Sequence, residues 1–367
     1  MKNNYDVIFA LNKNEGKKFL ADIEGKEPAF LCVIATTETA KIPGISAAGK
    51  NPEFTDYTPP ADAELLLYGK CRCISGVPVT PEGIPTPALI TMTALKMGDI
   101  PAFIVVGGAK IKPDSPIIDL GGRPGKDVRS GNSVEEPEET FKKAELIGRN
   151  FAKISDYLII GESVPGGTTT ALAVMLATGI NAEGKVSSSM QNNPHNLKTS
   201  IVNEAFKKTG VKFGDLKDDP LKAVSLFGDP MMPAFAGLVS GAAEKIKVLM
   251  AGGTQMGAIL SILKTEKPET LNNIAIGTTR WIIEDENSDI KGIVNQFGEI
   301  PILAANLNFN GSLYQGLKAY EKGVVKEGVG AGGASIGAML KSKGIINAQI
   351  LLKEIEKNYK KLITGRL

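Results

Sequence analysis

Glu327 is the only carboxylate in KEGVGAGGAS, a run of glycines and small residues from Lys326 to Ser335. Small neighbours let a flat ligand lie against the backbone while the carboxylate projects at it, which suits a general base. A flexible loop carrying a solvated glutamate has the same composition. A second run, GESVPGGTTTA, covers Gly161 to Ala171 between the apolar segment DYLII and the helical segment TTTALAVML. Gly166 and Gly167 permit close backbone approach. Thr168, Thr169 and Thr170 put hydroxyls beside the unpaired N–H groups and positive dipole end of a helix start, where a phosphate fits. The run imitates a Walker A loop, but Gly167 stands where that loop needs lysine, which disfavours ATP hydrolysis. The bland alternative is a threonine-capped turn without a ligand. Glu162 follows the apolar segment directly and could accept from ribose hydroxyls or simply be solvated. Met231 and Met232 offer soft surface to an aromatic ligand, although methionine more often packs a core. Arg280 could hold an anion or form a structural ion pair. The lone histidine, His195, has no serine or cysteine partner arrangement around it and reads as an ordinary loop or helix-start residue.

These residues need a scaffold, and 367 residues suffice for one large α/β unit with a small satellite. Apolar runs ending in glycine or small polar residues recur at 29–38, 102–108, 156–163, 223–230, 247–255, 273–279 and 301–306. Each reads as a strand apolar on both faces. Helical patterns at 135–154, 168–178 and 255–265 alternate with them, so the expectation is a doubly wound, mostly parallel, Rossmann-like sheet with its ligand crevice beyond the carboxyl ends of the strands. That placement also accounts for much of the glycine, whose 41 residues exceed the usual ~7%. Ile345, Ala348, Leu352, Ile355, Tyr359 and Leu362 follow helical spacing in a Lys/Glu-rich tail. Residues 25–340 are expected to form the nucleotide-binding unit, with 1–24 and 341–367 in a small helical subdomain or dimerisation segment.

Forty-two basic against 40 acidic residues leave a net charge of +2, without the clustered basic excess of a nucleic-acid binder. The most apolar window, Ile246 to Leu263, is broken by Gly252, Gly253, Thr254, Gln255 and Gly257, so no membrane span is expected. Cys32, Cys71 and Cys73 lack metal-ligand spacing and point to a reducing, cytoplasmic setting; Cys71 and Cys73 read as two residues on one face of a strand.

Taken in order, these segments resemble the nicotinate-nucleotide:dimethylbenzimidazole phosphoribosyltransferase family, which makes the lower-ligand nucleotide of cobamides. The family's G-E-M-G-I-G-N-T-T-type turn is matched by Gly161, Glu162, Gly166, Thr168 and Thr169, and the lysine opening its K-x-x-x-[IV]-x-x-A helix by Lys198. GDPMMPAFAGLV is similar to its G-G-F-E-I-A-x-x-A-G stretch, and VLMAGGTQMGAIL to its V-L-V-D-G-F stretch. The catalytic glutamate of its G-E-G-[ST]-G-A motif falls on Glu327. Lys326 replaces the preceding glycine, Val329 replaces a hydroxyl residue, and the aspartate of the D-G-F stretch is missing at Gly252 and Gly253, as in a divergent, archaeal-type branch. The resemblance implies that Glu327 is the base, and that Glu162, Gly166, Gly167, Thr168, Thr169, Lys198, Met231, Gly328 and Gly330 bind nicotinate mononucleotide and a benzimidazole-type base. It implies a homodimer and neither cofactor nor metal. The alternative is a nucleotide-binding protein that keeps the pocket without catalysis.

Overall fold

Strands that are apolar on both faces must be covered on both faces, and this chain does so around one eight-stranded sheet. The structure is a computed structural model and describes residues 5–47, 52–76, 78–80, 83–190 and 192–364. The strands are β1 (Val7–Leu11), β2 (Pro28–Ala35), β3 (Ala102–Gly108), β4 (Ile118–Asp119), β5 (Tyr157–Ser163), β6 (Lys247–Ala251), β7 (Ile274–Thr279) and β8 (Ile302–Ala305). Their order is β1-β8-β7-β6-β5-β2-β3-β4, all parallel except the edge strand β1, which runs antiparallel to β8. The carboxyl ends of β2, β5, β6 and β7 therefore open on one side.

Neighbouring residues of each strand feed opposite cores. Leu31, Val33, Leu158, Ile160, Val248 and Met250 belong to one, beneath the helices Pro137–Phe151, Gly167–Ala177, Met231–Ala243 and Met256–Glu266. Phe30, Cys32, Ile34, Ile159, Leu249 and Ala251 belong to the other, beneath Ala88–Met97 and Ala331–Lys341. Glycines set the closest approaches. A Cβ on Gly241 would lie 2.0 Å from the Glu145 carbonyl oxygen, so the Met231–Ala243 helix can rest directly on the Pro137–Phe151 helix.

The strand expected at 223–230 is not a strand. Residues Pro220–Phe227 form a helix, begun by Asp219, whose side chain accepts from the Lys222 N–H, and by Pro220 in its first turn. An apolar run this short has no diagnostic period, and the start signals lie upstream of it. Cys71 and Cys73 are likewise outside any strand: their stretch is irregular, and the Cys73 N–H donates to Glu64 Oε2 at 2.8 Å. Burial first of all pushes both thiols up, that of Cys73 to about 12.

At the termini, β1 pairs into the main sheet, so the first residues are not purely helical. The tail helix Ala348–Thr364 buries Leu351, Ile355 and Tyr359, while Asn358 Nδ2 donates to Thr93 Oγ1 at 3.0 Å and the Ala348 N–H to Asp6 Oδ2 at 2.9 Å. Ile345 precedes this helix and is exposed. Residues 1–4 and 365–367 of the expected subdomain lie outside the described residues.

Gly241→Ala places a methyl group against a backbone carbonyl far from the open strand ends. We expect it to lower unfolding stability in urea by about 1–3 kcal/mol, the usual cost of overpacking, with ligand binding retained. A change within about 0.5 kcal/mol would show that the two helices can slide apart freely.

Candidate active site at the strand ends

The turn after β5 and the loop before the Ala331–Lys341 helix meet backbone to backbone. Gly161 has room only for hydrogen, since a Cβ there would lie 3.0 Å from Gly330 Cα. Beside it the Val329 N–H donates to the Glu162 carbonyl at 2.9 Å. Val325 and Val329 adopt φ of 53° and 54°, a left-handed conformation unfavourable for β-branched residues. They are held there by neighbours: the Val325 N–H donates to Ser189 O at 3.2 Å, Thr91 Oγ1 donates to Val329 O at 2.9 Å, and Thr279 Oγ1 donates to Lys326 O. Strain of this kind costs about 1–3 kcal/mol per residue and persists where surroundings dictate it.

The constrained loop presents Glu327. Its carboxylate accepts from the Gly328 N–H at 3.1 Å and from the Gly332 N–H at 3.2 Å to Oε2, with Thr278 Oγ1 at 3.5 Å. On the other side Gly166, at φ 79°, caps the Gly167–Ala177 helix and seats against Ala40, while Gly167 seats against Val164 and Gln255. A cavity of about 830 Å³ is lined by Gly166, Gly167 and Thr168 from the turn, by Glu162, and by Glu327 and Gly328 from the loop. An arm of residues 78–80 and 84–87 closes it, joined by Phe54 and Tyr57.

Other expected site residues lie behind this lining. Thr169 is buried with its hydroxyl unpartnered, and Thr170 Oγ1 donates to Asp229 Oδ2 at 2.6 Å. Lys198 is buried and donates to Ser187 O at 2.6 Å and Asn193 Oδ1 at 3.3 Å, so it supports the Ser187–Ser189 segment that faces the cavity. Met231 is core, its N–H bonded to Asp229 Oδ1 at 3.1 Å. Gly330 packs on Ala251 and Gly161. Arg280 makes the structural ion pairs, with Glu284 and Glu321. His195 Nε2 lies 2.7 Å from the Asn287 carbonyl, away from this cavity.

One lining group, Asp62, carries no sequence motif. Asp62, on the helix Thr58–Tyr68, accepts from Thr86 Oγ1 and Ser163 Oγ, each at 2.8 Å. The signal that could have found it is an acidic residue in a helix with hardly any polar face. Lys326, buried, donates to Ser188 O at 3.1 Å and stands 3.3 Å from Asp285 Oδ2.

Desolvation dominates the electrostatics. Burial raises Asp62 to about 7, Glu162 to about 8, Asp229 to about 6 and Glu327 to about 7. Repulsion from Asp229 and Glu327 adds to the shift of Glu162, whereas the N–H donors of Gly328 and Gly332 restrain that of Glu327. Lys198 is lowered to about 7, by burial first and by Lys326 second. Unfolded carboxyls lose their protons near pH 4, so between there and pH 8 these four groups make the folded chain hold more protons than the unfolded one, and its stability falls as pH rises. Thermal unfolding should therefore move to lower temperature from pH 5 to pH 8, and Glu162→Gln should flatten that slope; a slope of opposite sign would contradict the buried-carboxyl account.

Residues 133–282 match a family model described as "Phosphoribosyltransferase". A UPF0284 protein of Sulfurisphaera tokodaii is 48% identical over 343 residues, covering 93% of this chain and 96% of the relative. Two solved structures from Thermus thermophilus share the fold. CobT aligns with TM-score 0.61 at 16% identity, covering 91% of this chain and 89% of its own. A nicotinate-nucleotide-dimethylbenzimidazole phosphoribosyltransferase aligns with TM-score 0.56 at 17% identity, covering 87% and 84%. At 48% identity over 93% of its length, the chain belongs to the UPF0284 family.

Proposed function

We propose that this protein transfers the ribose 5-phosphate of nicotinate mononucleotide to a benzimidazole-type base, giving the α-ribazole phosphate used as a cobamide lower ligand. The observation that carries the reading is the cavity in which a glycine turn at a helix N-terminus faces the same space as a dry, backbone-held glutamate. One Thermus neighbour, the nicotinate-nucleotide-dimethylbenzimidazole phosphoribosyltransferase, is named for the same pair of substrates.

On this reading the phosphate sits at Gly166, Gly167 and Thr168, where a helix N-terminus of eleven residues offers N–H groups. Glu162, protonated near neutral pH, donates to ribose. A ring nitrogen of the incoming base attacks C1 on the face opposite nicotinate, the C1–N bond to nicotinate breaks, and that electron pair returns to the pyridine nitrogen. The leaving ring was cationic while bonded and departs neutral at nitrogen, so it needs no protein acid. The attacking ring becomes cationic and gives its N–H proton to Glu327. Lys198, through Ser187, Thr169 and Met231 position this lining from behind, and Gly328 and Gly330 supply its close turns. Holding two rings and one carbon in line can contribute ~7–11 kcal/mol. No cofactor or metal enters the scheme, and the acting unit is taken to be a cytoplasmic homodimer.

Glu327→Gln keeps the shape and removes the proton acceptor. Turnover should fall about 10²–10⁴-fold, as expected for loss of a general base, while nicotinate mononucleotide binds within about threefold of wild type by calorimetry. Unchanged nicotinate release in that variant would remove Glu327 from the mechanism. Because the base works only when ionised, kcat/KM should climb about tenfold per pH unit below a limb near pH 7 and level off above it. A rate independent of pH between 5 and 8 would contradict that assignment.

A further inference from the structure

We infer that Asp62 selects the incoming base, by accepting a hydrogen bond from an exocyclic amino or hydroxyl group on its ring. The inference rests on the phosphoribosyl-transfer reading and adds to it the class of base. The lining that Asp62 shares mixes polar groups, among them Thr58, Thr80, Thr86 and Ser163, with the apolar surface of Tyr57, Val79, Ile84 and Pro85, and that apolar surface suits an aromatic ring. Set into this wall, Asp62 is 2% exposed. Oδ1 accepts one hydroxyl from Thr86 and Oδ2 one from Ser163, fixing the carboxyl plane. An ionised carboxylate has about four acceptor positions, so roughly two remain unfilled.

Asp62 stands between the arm and the turn after β5. Thr86 precedes Pro87, whose Cγ lies 3.3 Å from where a Cβ on Gly328 would stand, and Ser163 follows Glu162. Asp62 is thus tied through Thr86 to the arm beside the Glu327 loop and through Ser163 to the turn that leads to Gly166 and Gly167. A ring with its reactive nitrogen at Glu327 extends along this arm toward Asp62. Ring methyl groups there would leave a desolvated acceptor unpaired, which is costly. A ring N–H₂ or O–H satisfies it. Sites built to bond a polar substituent reject analogues lacking it far more strongly than apolar pockets reject an extra one.

The test measures equilibrium binding of adenine, hydroxybenzimidazole and dimethylbenzimidazole to the full-length protein by calorimetry. Product formation from an equimolar mixture of the three bases with nicotinate mononucleotide is followed in parallel. The two donor-bearing bases should bind about tenfold or more tightly than dimethylbenzimidazole. Whichever of them dominates identifies the amino or the hydroxyl group as the natural contact. Asp62→Leu should abolish or reverse the preference. Dimethylbenzimidazole binding as tightly as both donors, or an unchanged ratio in Asp62→Leu, would overturn the inference. Should that variant not fold, Asp62→Asn and the wild-type ratio decide it. Absence of product from every base would sink phosphoribosyl transfer instead, and the binding ratios would still report on Asp62.

Discussion

The hydrogen bond from the Val329 N–H to the Glu162 carbonyl is the constraint on which the site depends. It ties the end of a central strand to a loop from the far end of the chain, and so puts a helix N-terminus and a glutamate at one cavity. One such bond contributes only about 1 kcal/mol, less than the strain of two β-branched residues in left-handed conformation. The remainder comes from the bonds to Ser189, Thr91 and Lys326 O, and from Gly161 and Gly330 packing without side chains. Val329, although β-branched, keeps a backbone twist that presents Glu327.

Burial then sets the chemistry. Carboxyls held near neutrality by desolvation repel an incoming phosphate far less than four full charges would, and the same dryness leaves Glu327 basic enough to take a proton at neutral pH. The neighbours of Glu162 and Glu327 differ: three other carboxylates, Asp229, Glu327 and Asp62, act on Glu162 against one backbone N–H, that of Val164, whereas several backbone N–H groups face Glu327. Both acidic groups are thereby raised toward neutrality, by burial first and by different neighbours second.

Legibility in the sequence followed the range of the interaction. Doubly apolar runs such as 29–38 and 156–163 announced buried parallel strands because their environment is written in their own residues. Residues 223–230 misled because an apolar run of helix length and one of strand length overlap, and the deciding signals, Asp219 and Pro220, stand outside it. The glycine turn and Glu327 were visible because close approach demands small neighbours in sequence. Asp62 was not, since its partners Thr86 and Ser163 arrive from other elements. Thr169, Lys198 and Met231 could be matched to motifs, but a motif does not distinguish a residue that touches a ligand from one that braces what touches it.

Lys198 and Lys326 show why that distinction matters physically. Their ammonium groups bond the carbonyls of adjacent residues, Ser187 and Ser188, from the buried side. Lys326 has Asp285 as counter-charge; Lys198 has hydrogen-bond acceptors and a lowered pKa. A carbonyl left free at a phosphate site repels the anion, whereas one engaged by an ammonium does not, so both lysines can favour an anion without touching it. Lys326 adds a second such brace beside Glu327. Its charge also works against protonation of Lys198, which limits how much positive charge this edge can hold.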